Sequence, residues 1–263
     1  MSLAETAVHP TAVIYPGAEL GQGVEVGPYC IVESGAEIAD GCRLLPHAQV
    51  LGRVIMGENC VVGSSSVIGG EPQDTSYGGE RTKVILGENC RLYDHVTVHR
   101  ATGEGETRLG EGVLMMAGSH IGHNASVEQG VVLVNSAAVG GHATVGEKAL
   151  LSQGSAIHQF GVVGRLSLLG GACMATKDVP PFSVVTGSYP VRWRGVNTIG
   201  LKRAGISSED RTAIRRALHA IFHKGESTQK VAGDYLDNPC TLVAELATFI
   251  LNTPRGICAG PRS

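Results

Sequence analysis

Aliphatic residues recur along this chain at every sixth position. From Leu109 the series runs through Met115, Ile121, Val127, Leu133, Val139, Val145, Leu151, Ile157, Val163 and Leu169 to Ala175 without a miss. An earlier run of the same period goes from Val8 through Ile14, Leu20, Val26, Val32, Ile38, Leu44, Val50, Met56 and Val62 to Ile68. With 43% of residues hydrophobic, twelve successive hits have a chance probability of roughly 10^-5 to 10^-4, so the period is a structural signal. A helix repeats every ~3.6 residues and a half-buried strand every ~2, and neither yields six. A solenoid of short strands joined by tight turns does, because each repeat aims one aliphatic side chain into a narrow axial core. The pattern predicts an all-β solenoid of hexapeptide repeats, with three hexapeptides, about 18 residues, in each triangular coil.

Two interruptions break the series. Between Ile68 and Leu86 the beat falls on Asp74 and Glu80, which cannot fill an aliphatic core, so a loop leaving the prism is expected over 69–83. A second is expected over 101–108 (ATGEGETR), where the step from Val98 to Leu109 is five residues too long. Loops that leave a rigid scaffold commonly carry function. Pro180-Pro181 ends the repeats, and Val184–Asn197 reads as irregular. A helical pattern follows. Ser207-Ser208 can cap a helix with Glu209 and Asp210 in its first turn, Ile214, Leu218, Ile221 and Phe222 form its apolar stripe, and Gly225 stops it. Val231, Tyr235 and Leu236 suggest a second helix, and Leu242, Leu246, Phe249 and Ile250 a third. The expected division is a β-helix over 1–190 and a C-terminal α-helical domain over 191–263, the helices covering strand edges at the end of the coil.

Composition agrees with a prism built from small aliphatic residues: the chain has four Phe, one Trp and 37 Gly, the last suited to tight corners. A net charge of −3 favours neither nucleic acid nor membrane as a partner. Its distribution is uneven. Residues 192–263 hold 11 Lys/Arg against 6 Asp/Glu, which leaves −8 for residues 1–191. Arg192, Arg194, Lys202, Arg203, Arg211, Arg215 and Arg216 make a basic cluster, either a solvated helical face or a dock for an acidic partner or phosphate. Met1 to Pro10 lacks the apolar core of a signal peptide, and no apolar run is long enough to span a membrane. The seven cysteines form no CxxC pair and read as reduced thiols, which suits the cytoplasm.

The candidate chemistry lies in histidines. His120, His123, His142 and His158 fall within about two coils, and residues one coil apart in such a solenoid stack, so His123 and His142 are expected to be neighbours. Two mechanisms could use them. Three histidines could hold Zn²⁺ with a bound water, as in a zinc hydratase of the hexapeptide type, although that needs ligands converging from two coils and an adjacent subunit. Alternatively, a neutral imidazole could take a proton from an acceptor hydroxyl attacking a thioester, with a backbone N–H at Gly140-Gly141-His142 stabilising the oxyanion.

At these residues the chain resembles the UDP-N-acetylglucosamine acyltransferases of lipid A biosynthesis. The matching segments are HPTA at His9–Ala12, QD at Gln73-Asp74, HR at His99-Arg100, HIGH at His120–His123 and GH at Gly141-His142. They continue with IHQF at Ile157–Phe160, DVPP at Asp178–Pro181, GVN at Gly195–Asn197, GLKR at Gly200–Arg203 and TPRG at Thr253–Gly256. The resemblance implies a left-handed parallel β-helix assembled as a homotrimer with sites in the subunit clefts. It implies His123 as general base, with Asn124 at the position that orients it, and the Gly141 N–H in the oxyanion hole. It implies sugar and diphosphate contacts from Gln73, Asp74, His120 and His142. His158, Gln159, Asn197 and Arg203 would contact the acyl donor or nucleotide, and Gly171 would leave the acyl groove open for a long chain unless Leu168 or Tyr189 shortens it. No cofactor or metal is implied. The donor would be a 3-hydroxyacyl chain on acyl carrier protein, an acidic partner for the basic cluster.

Three positions depart from the family pattern. Asn124 follows the histidine where Asp is usual, so another carboxylate must stabilise the charged imidazole or the base is weaker. Ser76 replaces a Lys near the sugar, for which Arg81 or Lys83 could compensate. Ile199 stands where a Glu contributes to nucleoside binding, and one extra residue lies within Val191–Arg194. These changes leave open an N-acyltransferase acting on the 3-amino analogue of the sugar. The zinc hydratase and a scaffold without turnover are more distant readings.

Overall fold

The computed structural model describes residues 5–261. Residues 1–4 and 262–263, at the outer ends of the two expected domains and within the segment Met1 to Pro10 read above, lie outside it.

The aliphatic beat is realised as a triangular prism. Short strands, most of two residues, alternate among three sheets of eleven, nine and eight strands, and within the coils pairing is parallel and joins each strand to the third one after it. In the first coil Ala7 pairs with Glu25 and Val8 with Val26, so one coil is 18 residues. The second residue of each strand points inward. Val26, Val50, Ile121, Val139 and Val163 are all at most 3% exposed, and the core is a column of such side chains. Val8, at the open N-terminal end, is 44% exposed because no coil stacks below it.

Both interruptions are loops. The first runs from the end of strand Val67–Gly70 to the start of strand Lys83–Leu86. There Val54 pairs with Val84, 30 residues on. The excess over one coil is two hexapeptides, which is why the beat keeps its phase across the loop. At the second, Val84 pairs with Thr107, 23 residues on, and the surplus of five shifts the phase as the sequence indicates.

Above the last coil the stretch expected to be irregular is an antiparallel hairpin. Ser183–Thr186 pairs with Arg192–Val196, extending the eleven-stranded sheet. Segments of four and five residues, SVVT and RWRGV, are too short to show a periodicity. Helix α1 (Thr198–Arg203) follows, too short to carry an apolar stripe. Helix α2 (Ser208–His223) is capped by Ser207, which accepts from the Asp210 N–H, and buries Ile214, Leu218 and Ile221. Helix α3 (Thr228–Gly233) includes Val231 but ends before Tyr235 and Leu236, which lie in turns. Helix α4 (Thr241–Asn252) is fixed to the prism by Arg165, whose guanidinium meets both Glu245 carboxylate oxygens at 2.6 and 2.8 Å.

All seven cysteines are free, and six are buried. Cys42, Cys60 and Cys90 stack at one corner, each thiol donating to a glycine carbonyl of the next coil (Gly57, Gly87 and Gly110, at 3.1, 3.1 and 3.2 Å). Among the described residues no helix is long and apolar enough to cross a membrane.

Candidate active site

The corner between the nine- and eight-stranded sheets carries the chemistry. Its repeating unit in the coil of His123 is Gly122-His123-Asn124-Ala125, and one coil up it is Gly140-Gly141-His142-Ala143. His123 and Gly141 share the second position of their corners, so the imidazole rises against the glycine of the next coil. A Cβ on Gly141 would lie 2.5 Å from His123 Nε2 and 2.7 Å from its Cε1, so only glycine admits the ring. The His142 ring stands edge-on to His123 at 5.2 Å, and Phe160, a coil higher, stacks on His142 at 4.6 Å.

The second corner position also has an unused donor. The first-position N–H bonds to the next coil (Gly140 to the Ile157 carbonyl), and the third-position N–H bonds to the coil below (His142 to the His123 carbonyl). The second-position N–H has no part in this ladder. Elsewhere proline occupies the same place, as at Pro46, whose neighbours keep the same bonds, and at Pro28, where Gly27 keeps its bond and Tyr29 donates to the Thr11 hydroxyl instead. The Gly141 N–H is thus a donor that the fold does not need.

Asn124 holds the imidazole. Its Oδ1 accepts from the Thr102 N–H at 2.9 Å and from the Thr102 hydroxyl at 3.1 Å, while its Nδ2 donates to the Thr102 carbonyl at 3.1 Å. These main-chain partners fix which way the amide faces. His123 Nδ1, 3.0 Å from the same Oδ1, must therefore be the donor, and the lone pair lies on Nε2. Asp74 reaches in from the first loop, its Oδ2 3.6 Å from Nε2. Its other oxygen accepts from the Ser76 N–H at 2.9 Å and hydroxyl at 2.8 Å. Those two bonds are the main cause that holds the carboxyl below its usual range, with smaller help from His123 and His142. Ser76 thus orients the carboxylate where a cation is usual. Lys83 does not replace that cation, since it pairs with Glu106 at 3.0 Å.

His120 lies on the sheet face one step before the corner. Its Nδ1 meets the Thr97 hydroxyl at 2.8 Å, and its ring stands edge-on to His99 at 4.9 Å. Burial, with His99 and His123 nearby, pushes the His120 imidazole down to about 4. Burial also lowers His99, and His142 falls for the same first cause. Gln73 is exposed on the first loop. His158 and Gln159 are exposed at the corner above Gly141, where Arg255 donates to the Gln159 carbonyl at 3.2 Å. Gly171 sits on a different edge, and a Cβ there would meet only the Gln153 carbonyl, at 3.6 Å. Among the described residues no three His, Cys, Asp or Glu side chains converge on one point.

Residues 178–258 match the model described as UDP N-acetylglucosamine O-acyltransferase, domain 2, and residues 35–70 that of the bacterial transferase hexapeptide. An acyl-[acyl-carrier-protein]--UDP-N-acetylglucosamine O-acyltransferase of Brucella ovis is 38% identical, over 98% of this chain and 94% of that protein. The protein of the same name from Thermodesulfovibrio yellowstonii is 36% identical, over 95% of this chain and 98% of its own length. The chain belongs to the UDP-N-acetylglucosamine O-acyltransferase family. A solved UDP-N-acetylglucosamine acyltransferase from Bacteroides fragilis superposes with a TM-score of 0.91 at 31% identity, covering 95% of this chain and 99% of that one. The prism is the left-handed parallel β-helix that the family resemblance implies.

The remaining candidates of the family pattern stand apart from His123 within one chain. Asn197 and Arg203 lie beyond the eleven-stranded sheet, the face opposite the His123 corner. There a groove of about 810 Å³ is lined by Leu150, Leu168, Val184, Ile199 and Arg203. The Asn197 side chain is committed to the fold. Its Oδ1 accepts from the Gly200 N–H at 3.0 Å, capping α1, and its Nδ2 donates to the Leu166 carbonyl at 2.9 Å. Two residues of the site, Thr102 and Phe160, have no role in the motif pattern of the sequence, and Ser76 enters there only as a lost cation, not as a hydrogen-bond donor to Asp74. Phe160 lies in the IHQF segment, whereas the Thr102 contact depends on where a loop folds back and leaves no local signal.

Proposed function

We propose that this chain transfers a 3-hydroxyacyl group from the thioester of acyl carrier protein to the 3-hydroxyl of UDP-N-acetylglucosamine, the first step of lipid A biosynthesis. The observation that carries the mechanism is the fixed tautomer of His123, whose Nε2 lies 3.6 Å from Asp74 and packs against Gly141, the residue with the spare N–H. Nε2 takes the proton of the acceptor hydroxyl as its oxygen attacks the thioester carbonyl carbon. The carbonyl oxygen becomes the oxyanion, and the Gly141 N–H stabilises it. Collapse re-forms the carbonyl, breaks the C–S bond, and returns the proton from the imidazolium to the departing thiolate. Asn124 sets the ring and tautomer but brings no charge. The Asp74 carboxylate at 3.6 Å supplies the negative charge that steadies the imidazolium.

Asn197 and Arg203 lie on the face opposite His123, so the site is completed by a second copy. A homotrimer places the groove of one subunit beside the histidine corner of the next. Arg203 then offers a guanidinium to the diphosphate. The open edge at Gly171 favours a long acyl chain.

One observation favours a second acceptor. Asp74 pairs with no Lys or Arg among the described residues, so a sugar bearing a 3-ammonium would meet an uncompensated carboxylate. A single competition assay separates the two. Equal amounts of UDP-N-acetylglucosamine and its 3-amino analogue, offered with 3-hydroxyacyl carrier proteins of several chain lengths, are expected to give mainly ester from the longer chains. Predominant amide would switch the acceptor, and a sharp optimum at the shortest chain would overturn the long-groove reading.

A further inference from the structure

The first loop carries Asp74 to the catalytic corner, yet little of it is buried. Of residues 71–80, Pro72 alone is fully buried. Its hold on the prism is concentrated in one side chain, Arg100, which immediately follows the strand Thr97–His99. The guanidinium donates from Nε and Nη2 to the Tyr77 phenol oxygen at 3.0 and 2.8 Å, and from Nη1 to the Gly69 carbonyl at 2.8 Å. Nη2 also reaches Glu71 at 3.2 Å, and the charged centre lies 5.4 Å from the centroid of the Tyr77 ring. Tyr77 is bonded in turn to the residue that matters, since its N–H donates to the Asp74 carbonyl at 3.1 Å. Ser76, between them, holds the Asp74 carboxylate.

The chain after Arg100 completes the arrangement. The Ala101 carbonyl accepts from the Thr82 hydroxyl at the far end of the first loop. Thr102 fixes the Asn124 amide and, through it, the His123 tautomer. One short segment, Arg100–Thr102, therefore registers the carboxylate and the base against each other.

We propose that Arg100 and Tyr77 form a latch that holds the first loop closed over the site, and that both are positioning residues for the UDP-sugar. The proposal rests on the acyltransferase reading for its kinetic consequence, though not for the latch itself. The fork geometry matters: lysine keeps the charge but cannot bridge the Tyr77 oxygen and the Gly69 carbonyl at once.

The test uses full-length Tyr77→Phe, Arg100→Lys and Arg100→Ala proteins, with Asp74→Ala as reference. Hydrogen exchange of the loop is expected to quicken by about tenfold in Tyr77→Phe and Arg100→Ala, because charge-assisted hydrogen bonds are lost, while the coils exchange as before. KM for the UDP-sugar is expected to rise by about tenfold, with kcat within about threefold and KM for the acyl carrier unchanged. Arg100→Lys should resemble Arg100→Ala, and the Tyr77→Phe/Arg100→Ala double variant should be no worse than Arg100→Ala alone. Unchanged loop exchange would overturn the latch. Faster exchange with an unchanged KM for the sugar would overturn its role in binding. Wild-type protein that acylates no UDP-amino sugar would count against the enzymatic reading, and the exchange measurement alone would then decide on the latch.

Discussion

The proposed role of His123 as base rests on contacts that are individually small and spatially strict. Nε2 must be unprotonated and close to Gly141; the Asn124 contact sets the first condition and the stacking of one corner on the next sets the second. Gly141→Ala should therefore be severe for catalysis and mild for the fold. The added Cβ would sit 2.5 Å from Nε2, so the ring must swing away, and kcat should fall by roughly 10²–10⁴ with little change in Tm. Activity within a fewfold of wild type would remove the stacked-corner mechanism. The buried neighbours make a different prediction. His120 is pushed from 6.5 down to about 4, and His99 is lowered too, so in the folded chain both stay neutral where unfolded histidine would already bind a proton. Their contribution to stability is full above pH 6.5 and is lost as the pH falls toward about 4. Thermal unfolding followed across that window should show a declining midpoint, and His120→Gln should flatten the decline. An unaltered slope would mean that these imidazoles titrate normally.

Helix α1 shows how much a short element depends on one residue. Asn197 caps it and also satisfies the Leu166 carbonyl, so Asn197→Ala removes a cap and leaves a carbonyl without its donor. A loss of about 1–2 kcal/mol in denaturant unfolding is expected, together with weaker nucleotide binding as Arg203 loses its placement. Weaker binding at full stability would instead make the Asn197 amide a direct contact. The sequence announced the prism because its signal is repeated coil after coil, and it announced α2 because sixteen residues hold several turns of stripe. It did not announce α1, six residues long, or the hairpin over Ser183–Thr186 and Arg192–Val196. The same limit applied to the site. Stacked histidines follow from the coil length, so the neighbouring of His123 and His142 was legible. Asp74 facing Nε2 and Thr102 gripping Asn124 depend on how loops fold back over the coil, and no local pattern encodes that.

At the scale of the molecule, the proposed site draws on two faces of the prism, the His123 corner and the Arg203 groove, that stand apart within one chain. A mixture of His123→Ala and Arg203→Ala proteins, each weak alone, tests the consequence. If subunits exchange, co-refolded trimers should contain sites with His123 from one parent and Arg203 from the other, and about a quarter of wild-type activity should return. No recovery in a verified mixed trimer would place the whole site in one subunit. The corner geometry carries a wider implication. The backbone ladder between coils does not engage the second-position N–H, so other partners are free to take it, as the carboxylates of Asp40 and Asp94 do at Gln22 and Ser64. Pro28 and Pro46 silence theirs, and Gly141 leaves its own exposed to the base. A prism of this kind therefore holds latent anion sites at those turns where no neighbouring carboxylate takes the amide. Choosing proline or glycine at a turn is enough to decide which of them a passing substrate can use.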